Sequence, residues 1–96
     1  MGLLRGNELD AAIADLGDGW HLVQESGCEA LRYDWKTPDF ATAFAIATRL
    51  ALMAESADHH PLISVEWGAV SVTWWTHSAG GVTAADVAMA KKCATL

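Results

Sequence analysis

Basic residues are scarce in this chain of 96 residues: six lysines and arginines face twelve aspartates and glutamates, a formal charge of −6. An acidic surface repels phosphate backbones, which argues against direct nucleic-acid binding. Cysteine is also scarce. Cys28 and Cys93 are the two present. They have no metal-type spacing, and they are expected as reduced thiols of a cytoplasmic protein. A disulfide between them would need a geometry that spacing does not establish. The two prolines, Pro38 and Pro61, each mark a boundary between elements. Repeats, low-complexity tracts and linkers are missing. So is a long hydrophobic run. The longest apolar stretch, 40–54, is interrupted by Thr42, Thr48 and Arg49, and reads as short of a membrane-spanning helix. Met1-Gly2-Leu3-Leu4-Arg5 turns polar too early for a signal peptide. No membrane association is expected.

What is present describes a globular chain. The hydrophobic fraction is 52% and the charged fraction 19%, the balance of one compact domain over residues 1–96 rather than of disorder. A chain of this size buries roughly 60–70% of its unfolded surface, enough for one modest core.

Asn7 is placed to cap a first helix running to about residue 16, with Glu8 and Asp10 in its positive first turn. Leu9, Ile13 and Leu16 share one face of it, and Gly17-Asp18-Gly19 ends it. A short strand is predicted over 20–23, a turn over 24–27 and a longer strand over 29–36. Leu31, Tyr33 and Trp35 point one way along it, and Arg32, Asp34 and Lys36 the other. Thr37 as N-cap and Pro38 as first helical residue open a second helix to about residue 58. That helix carries two apolar stripes: Phe40, Ala43, Phe44, Ala47, Ala51 and Ala54, then Ile46, Leu50 and Met53. Two stripes exceed what one sheet contact needs, so part of the helix is expected to meet another subunit.

Strands are predicted over 64–67 and 69–76, broken by Gly68. Val70, Val72 and Trp74 face the core. Ser71, Thr73, Trp75 and His77 face the other way. Gly80-Gly81 reads as a turn rather than a phosphate loop. Thr83 caps a last helix, with Asp86 as its capping-box partner. The order α-β-β-α-β-β-α implies an α+β fold, a four-stranded antiparallel sheet with helices packed on one face.

The chemistry concentrates in the histidines. Three of the four, His59, His60 and His77, fall within one short stretch. Imidazole titrates near neutral pH, and several at one site exchange protons with a small molecule. Glu55 precedes His59 by four residues, a spacing that puts both on one helix face, where a carboxylate orients the ring. A Glu55, His59, His77 metal set is the rival reading. It lacks a His-x-x-x-His pair and a cysteine ligand, and no metal is expected. Trp35 and Trp74 read as core, whereas Trp67 and Trp75 are placed to stack on a planar ligand or to form an oligomer contact.

These residues resemble the pterin-4a-carbinolamine dehydratases. Gly19-Trp20, Asp39-Phe40 with Ala43 and Phe44, Glu55-Ser56-Ala57-Asp58-His59-His60-Pro61, Trp67, Thr76-His77, and Gly80-Gly81-Val82-Thr83 leading to Asp86 occur in the family's order. The resemblance implies the same α-β-β-α-β-β-α fold. It implies dehydration of a 4a-hydroxytetrahydropterin to the quinonoid dihydropterin in pterin recycling, with no cofactor. It assigns His59, His60 and His77 to catalysis, with Glu55 and Asp86 in support. From the residues themselves, His60 is expected to bind and orient the substrate, because it cannot share a direction with His59, and Trp67 and Trp75 to stack on it. Leu62 and Ile63 stand where many members have an acid and a tryptophan, which removes a charge and a ring from the pocket rim. The alternative is a non-enzymatic binding module of the same fold, a transcription-factor dimerisation cofactor or an assembly factor. A homodimer or homotetramer is expected in either case.

Overall fold

The computed structural model of the protein describes residues 2–96. Helix α1 (Gly6–Leu16) leads into a hairpin of β1 (His21–Glu25) and β2 (Cys28–Lys36). Helix α2 (Phe40–Ala57) crosses to a second hairpin of β3 (Leu62–Glu66) and β4 (Ala69–Trp74). Helix α3 (Ala84–Lys92) closes the chain, with 3-10 turns at His77–Ala79 and Cys93–Thr95. The four strands form one antiparallel sheet in the order β1-β2-β4-β3. The predicted architecture is the observed one.

Local chemistry explains where boundaries differ from expectation. Ser26 and Gly27 both have positive φ, 52° and 79°, the signature of a tight two-residue hairpin turn. The first hairpin is therefore paired out to Glu25 and Cys28, and the expected turn at 24–27 shrinks to two residues. Asp39, not Thr37, caps α2: its Oδ1 accepts from the Thr42 N–H at 2.7 Å. Thr37 is engaged elsewhere, its N–H donating to the Gly68 carbonyl at 2.9 Å. Helix α1 starts at Gly6, with Arg5 rather than Asn7 at its N-cap. Just before it, the Leu4 N–H donates to the Val82 carbonyl at 2.9 Å, which ties the chain start to the segment before α3.

The register sets the two faces of the sheet. Leu31 pairs with Trp74, and Val72 pairs with both Tyr33 and Ile63. These residues share the face that α2 and α3 cover. Ala43, Ala47, Leu50 and Ala54 supply the buried stripe of α2, and Leu9 does so for α1. The core is centred on Leu31, Leu50, Val72 and Trp74, all fully buried. Small alanines let α2 lie close to the sheet. The buried stripe takes one member, Leu50, from the second predicted stripe, and Phe40 and Phe44 of the first are left outside, 48% and 54% exposed. At 18 residues and a mean hydropathy of 1.2, α2 reaches the lower limit of a spanning segment. Here it packs its alanine stripe on β3 and β4 instead.

Cys93 sits behind the core. Burial pushes its thiol up to about 11, against a weak opposing contact with the Trp74 indole. That indole N–H finds no partner within ordinary hydrogen-bond limits, so the sulfur contact is a soft one.

Two outcomes follow from this packing. Leu50→Ala should lower unfolding stability by about 2–5 kcal/mol, the usual range for a buried leucine, measured by urea denaturation. Raising the pH should also destabilise the fold. The unfolded thiol of Cys93 ionises near 9.0 and the folded one only near 11. Across that window the unfolded state sheds the proton first, so stability falls as pH rises. Denaturation midpoints of the protein and of Cys93→Ala, compared at pH values across that window, should show a shallower decline in the variant.

Candidate active site

The site is assembled at the C-terminal end of α2. Asp58 adopts a left-handed conformation, φ 52° and ψ 41°, and the His59 N–H reaches back to the Ala54 carbonyl at 3.1 Å. This is a helix stop of the Schellman type, and Pro61 soon afterwards bars continuation. The reversal sends adjacent side chains apart. His59 turns inward and stacks on Trp74, ring centroids 5.7 Å apart and planes 14° apart. His60 turns outward and back along the helix.

Two carboxylate–imidazole pairs result, and they are not the expected ones. His59 Nε2–H donates to Asp86 Oδ1 at 2.6 Å. His60 Nε2 lies 2.9 Å from Glu55 Oε1. The expected pairing of Glu55 with His59 fails because the four-residue spacing holds only while both residues are helical. Asp58 breaks the helix between them. The rings differ sharply in setting: the His59–Asp86 pair is 21% and 0% exposed, the His60–Glu55 pair 58% and 81%.

Asp86 is the organising group. Its Oδ2 accepts from the Thr76 hydroxyl and from the Thr83 N–H, both at 2.8 Å. With His59 on Oδ1 and the Thr83 hydroxyl also 3.3 Å from Oδ2, a fully buried carboxylate is ringed by donors. A carboxylate out of water requires such compensation. The Thr76 and Thr83 hydroxyls also meet at 2.8 Å. The predicted capping box at Thr83 and Asp86 is formed, and the same aspartate reaches beyond it to the histidine. Thr76 and the stacking face of Trp74 are members that residue-by-residue reading passed over. The Thr-His dipeptide was the available signal for the first.

His77 lies beyond the end of β4, in the 3-10 turn, rather than on a strand extended to it. The isolated bridge of Thr76 with Gly81 pulls the chain out of the sheet. His59, His60 and His77 nevertheless line one open concavity of about 440 Å³, together with Asp58, Trp75, Thr76 and Ser78. His77 is exposed and, among the described residues, its side chain has no hydrogen-bond partner. Trp75 forms part of the wall, with its indole nitrogen buried and unpartnered.

Trp67 does not join them. It sits 73% exposed in the β3–β4 turn. The histidines are at the other end of that hairpin, where Leu62 pairs with Thr73. Four residues along a strand separate these ends by about 13 Å. Its expected part in substrate binding is therefore not supported within this chain. Among the described residues, no three histidine, cysteine, aspartate or glutamate side chains gather as a metal ligand set. Glu55 and Asp86 are each committed to a different imidazole.

Removing the two carboxylates should have unequal consequences. Asp86→Ala removes the acceptor shared by His59 Nε2–H, the Thr76 hydroxyl and the Thr83 N–H, and should cost about 1–3 kcal/mol. Glu55→Gln, on the surface, should stay within about 0.5 kcal/mol. Urea unfolding of both variants checks the contrast.

Comparison with known proteins places this geometry in a family. The family model described as pterin 4 alpha carbinolamine dehydratase matches residues 3–96. A protein of Mesorhizobium japonicum is 45% identical over 89 residues, covering 93% of this chain and 88% of its own length. One from Chlorobium limicola is 43% identical over 89 residues, covering 93% and 78%. Both carry the name "Putative pterin-4-alpha-carbinolamine dehydratase". A crystal structure from Brucella melitensis, called a transcriptional coactivator/pterin dehydratase, superposes with a TM-score of 0.83 at 39% identity, covering 99% of this chain and 97% of that one. A pterin dehydratase-like RuBisCO assembly factor of the alpha-carboxysome shares the fold, with a TM-score of 0.65 at 18% identity over 83% of this chain and 90% of that one. With a family model that spans residues 3–96, relatives of 43–45% identity and a shared fold, the chain belongs to the pterin-4-alpha-carbinolamine dehydratase family.

Proposed function

We propose that the protein dehydrates a 4a-hydroxytetrahydropterin to the quinonoid dihydropterin. The observation that carries this reading is the convergence of three imidazoles on one open concavity, two of them tied to carboxylates through Nε2. The reaction breaks the C4a–O bond and the N5–H bond and releases water. It needs an acid at the leaving oxygen and a base at N5, and positioned histidines supply both near neutral pH.

The roles follow from the hydrogen bonds. His59 donates Nε2–H to Asp86, which leaves Nδ1 to work toward the pocket. Positive charge on this ring is compensated by the buried carboxylate, so His59 is assigned as the acid. His77 has no carboxylate partner and is assigned as the base. His60, held by Glu55 at the rim, binds and orients the pterin. Trp75 gives the wall a planar surface for the ring system. The concavity opens to solvent, as the exit of water requires.

The second reading, a binding module, draws on the outer face of α2. Phe40 and Phe44 stand 5.9 Å apart on it, and Leu52 is 68% exposed. Apolar surface of this kind on a helix fits self-association as a homodimer or homotetramer, which is compatible with either reading. The protein should be oligomeric by light scattering at micromolar concentration. Phe40→Ser combined with Phe44→Ser should shift it toward monomer.

Dehydration rates of histidine variants test the catalytic reading. Each of His59→Ala and His77→Ala should lose roughly 10²–10⁴-fold, the usual worth of a positioned acid or base. The double variant should be inactive. His77→Ala should keep its melting temperature. His59→Ala should lose stability as well, because it strips a donor from buried Asp86. Full activity in a folded double variant would transfer the protein to the binding-module reading.

A further inference from the structure

Apart from the histidine concavity, a cavity of about 220 Å³ opens between the β1–β2 hairpin and the C-terminal segment. Its walls carry Trp20, Tyr33 and Trp35, its rim carries Asp18, and Leu16 and Leu96 flank it. It shares no lining residue with the histidine concavity. We propose that this cavity is a binding site for an organic cation, a small molecule bearing a trimethylammonium group.

Three features point to that ligand. The first is the aromatic wall. Trp20 and Tyr33 lie 5.2 Å apart with planes inclined at 41°, and Tyr33 and Trp35 lie 4.8 Å apart at 63°. The rings pack tilted and edge to face against one another, and the row they form lines the cavity. Each ring is only half-buried. A cation seated against this aromatic wall would be drawn by the ring quadrupoles, and its methyl groups would keep van der Waals contact with carbon. An inorganic cation would have to surrender its water for no comparable contact.

The second feature is charge. The Asp18 carboxylate stands at the rim, exposed, and among the described residues it has no ion pair. Lys91, on the neighbouring helix, is directed to Asp15 at 3.8 Å. A chain of net charge −6 adds to the attraction. An anion would be repelled by this carboxylate.

The third feature is that the wall is braced by the backbone. Gly19 has a φ of +96°, and a Cβ at that position would come within 2.6 Å of Tyr33 Cε1. The glycine lets the Tyr33 ring lie directly on the chain, which holds the middle of the wall in place. The Tyr33 hydroxyl has no hydrogen-bond partner among the described residues, and it is free to meet a hydroxyl or carboxylate carried by the ligand. Resemblance explains Gly19 and Trp20 as a family dipeptide. The hollow that they build with Tyr33 and Trp35 adds a use that the histidine chemistry does not require.

The experiment is a calorimetric titration of the intact protein with tetramethylammonium chloride and with choline chloride at constant ionic strength. The neutral tert-butyl analogue of choline serves as the control for shape. Both cations should bind saturably at one site, and the neutral analogue at least about tenfold more weakly, the order expected for a partly desolvated cation–π contact. Trp35→Leu should weaken choline by about tenfold, and Asp18→Asn by several-fold. Gly19→Ala should weaken it by displacing Tyr33. His77→Ala should leave choline binding unchanged, which separates this site from the histidine concavity. Asp18 is on the surface, so Asp18→Asn tests the idea even if a ring substitution fails to fold. Absence of saturable binding, equal binding of the neutral analogue, or unchanged binding in a natively melting Asp18→Asn and Trp35→Leu pair would overturn the assignment.

Discussion

A single buried carboxylate holds the site and part of the fold together. Asp86 is fully buried and accepts from three elements: His59 after α2, Thr76 after β4, and the Thr83 N–H that begins α3. A charge without solvent is tolerated only when donors replace the lost water. Each donor is therefore drawn to one point, and the segments that carry them come with it. The α2–β3 junction, the β4 exit and the α3 start meet because one aspartate requires all of them. The position of His59 is then a consequence of charge compensation as much as of chain path.

The surroundings of the two outer histidines complete the logic. His60 is held by a carboxylate as well, yet on the surface, where water competes for both partners. Among the described residues His77 is held by none. Three chemically identical side chains thus occupy three environments: half-buried and paired, exposed and paired, exposed and unpaired. Differentiation of this kind suits the proposed acid–base reading, in which acid, base and binding group play separate parts. The stack of His59 on Trp74 connects the histidine corner directly to the centre of the core.

The molecule separates its tasks along the sheet. The exits of α2 and β4 build the histidine concavity. The first hairpin and the C-terminal segment build an aromatic hollow around Tyr33. The outer face of α2 carries exposed phenylalanines and no chemistry. Short strands and tight turns make this separation possible in so small a chain. Each end of the sheet is reached by different loops, and the core between them is filled by alanines on α2 and by Leu31, Val72 and Trp74.

The sequence by itself determined the element order, the antiparallel sheet, the helix-covered face and the convergence of His59, His60 and His77 in one stretch. Alternation in β2, the Thr83–Asp86 cap and the motif around Pro61 are local signals, and local signals survive folding. Only the tertiary structure decided which carboxylate serves which histidine. Glu55 and His59 have helical spacing, but the left-handed turn at Asp58 lies between them. It hands Glu55 to His60 and sends His59 across the chain to Asp86, 27 positions away. Trp67 shows the same limit from the other side. Six residues past Pro61 is near in sequence, yet an extended strand carries it to the far end of the hairpin. Spacing encodes proximity only while the backbone keeps one period, and each of these pairs crosses a point where the period changes.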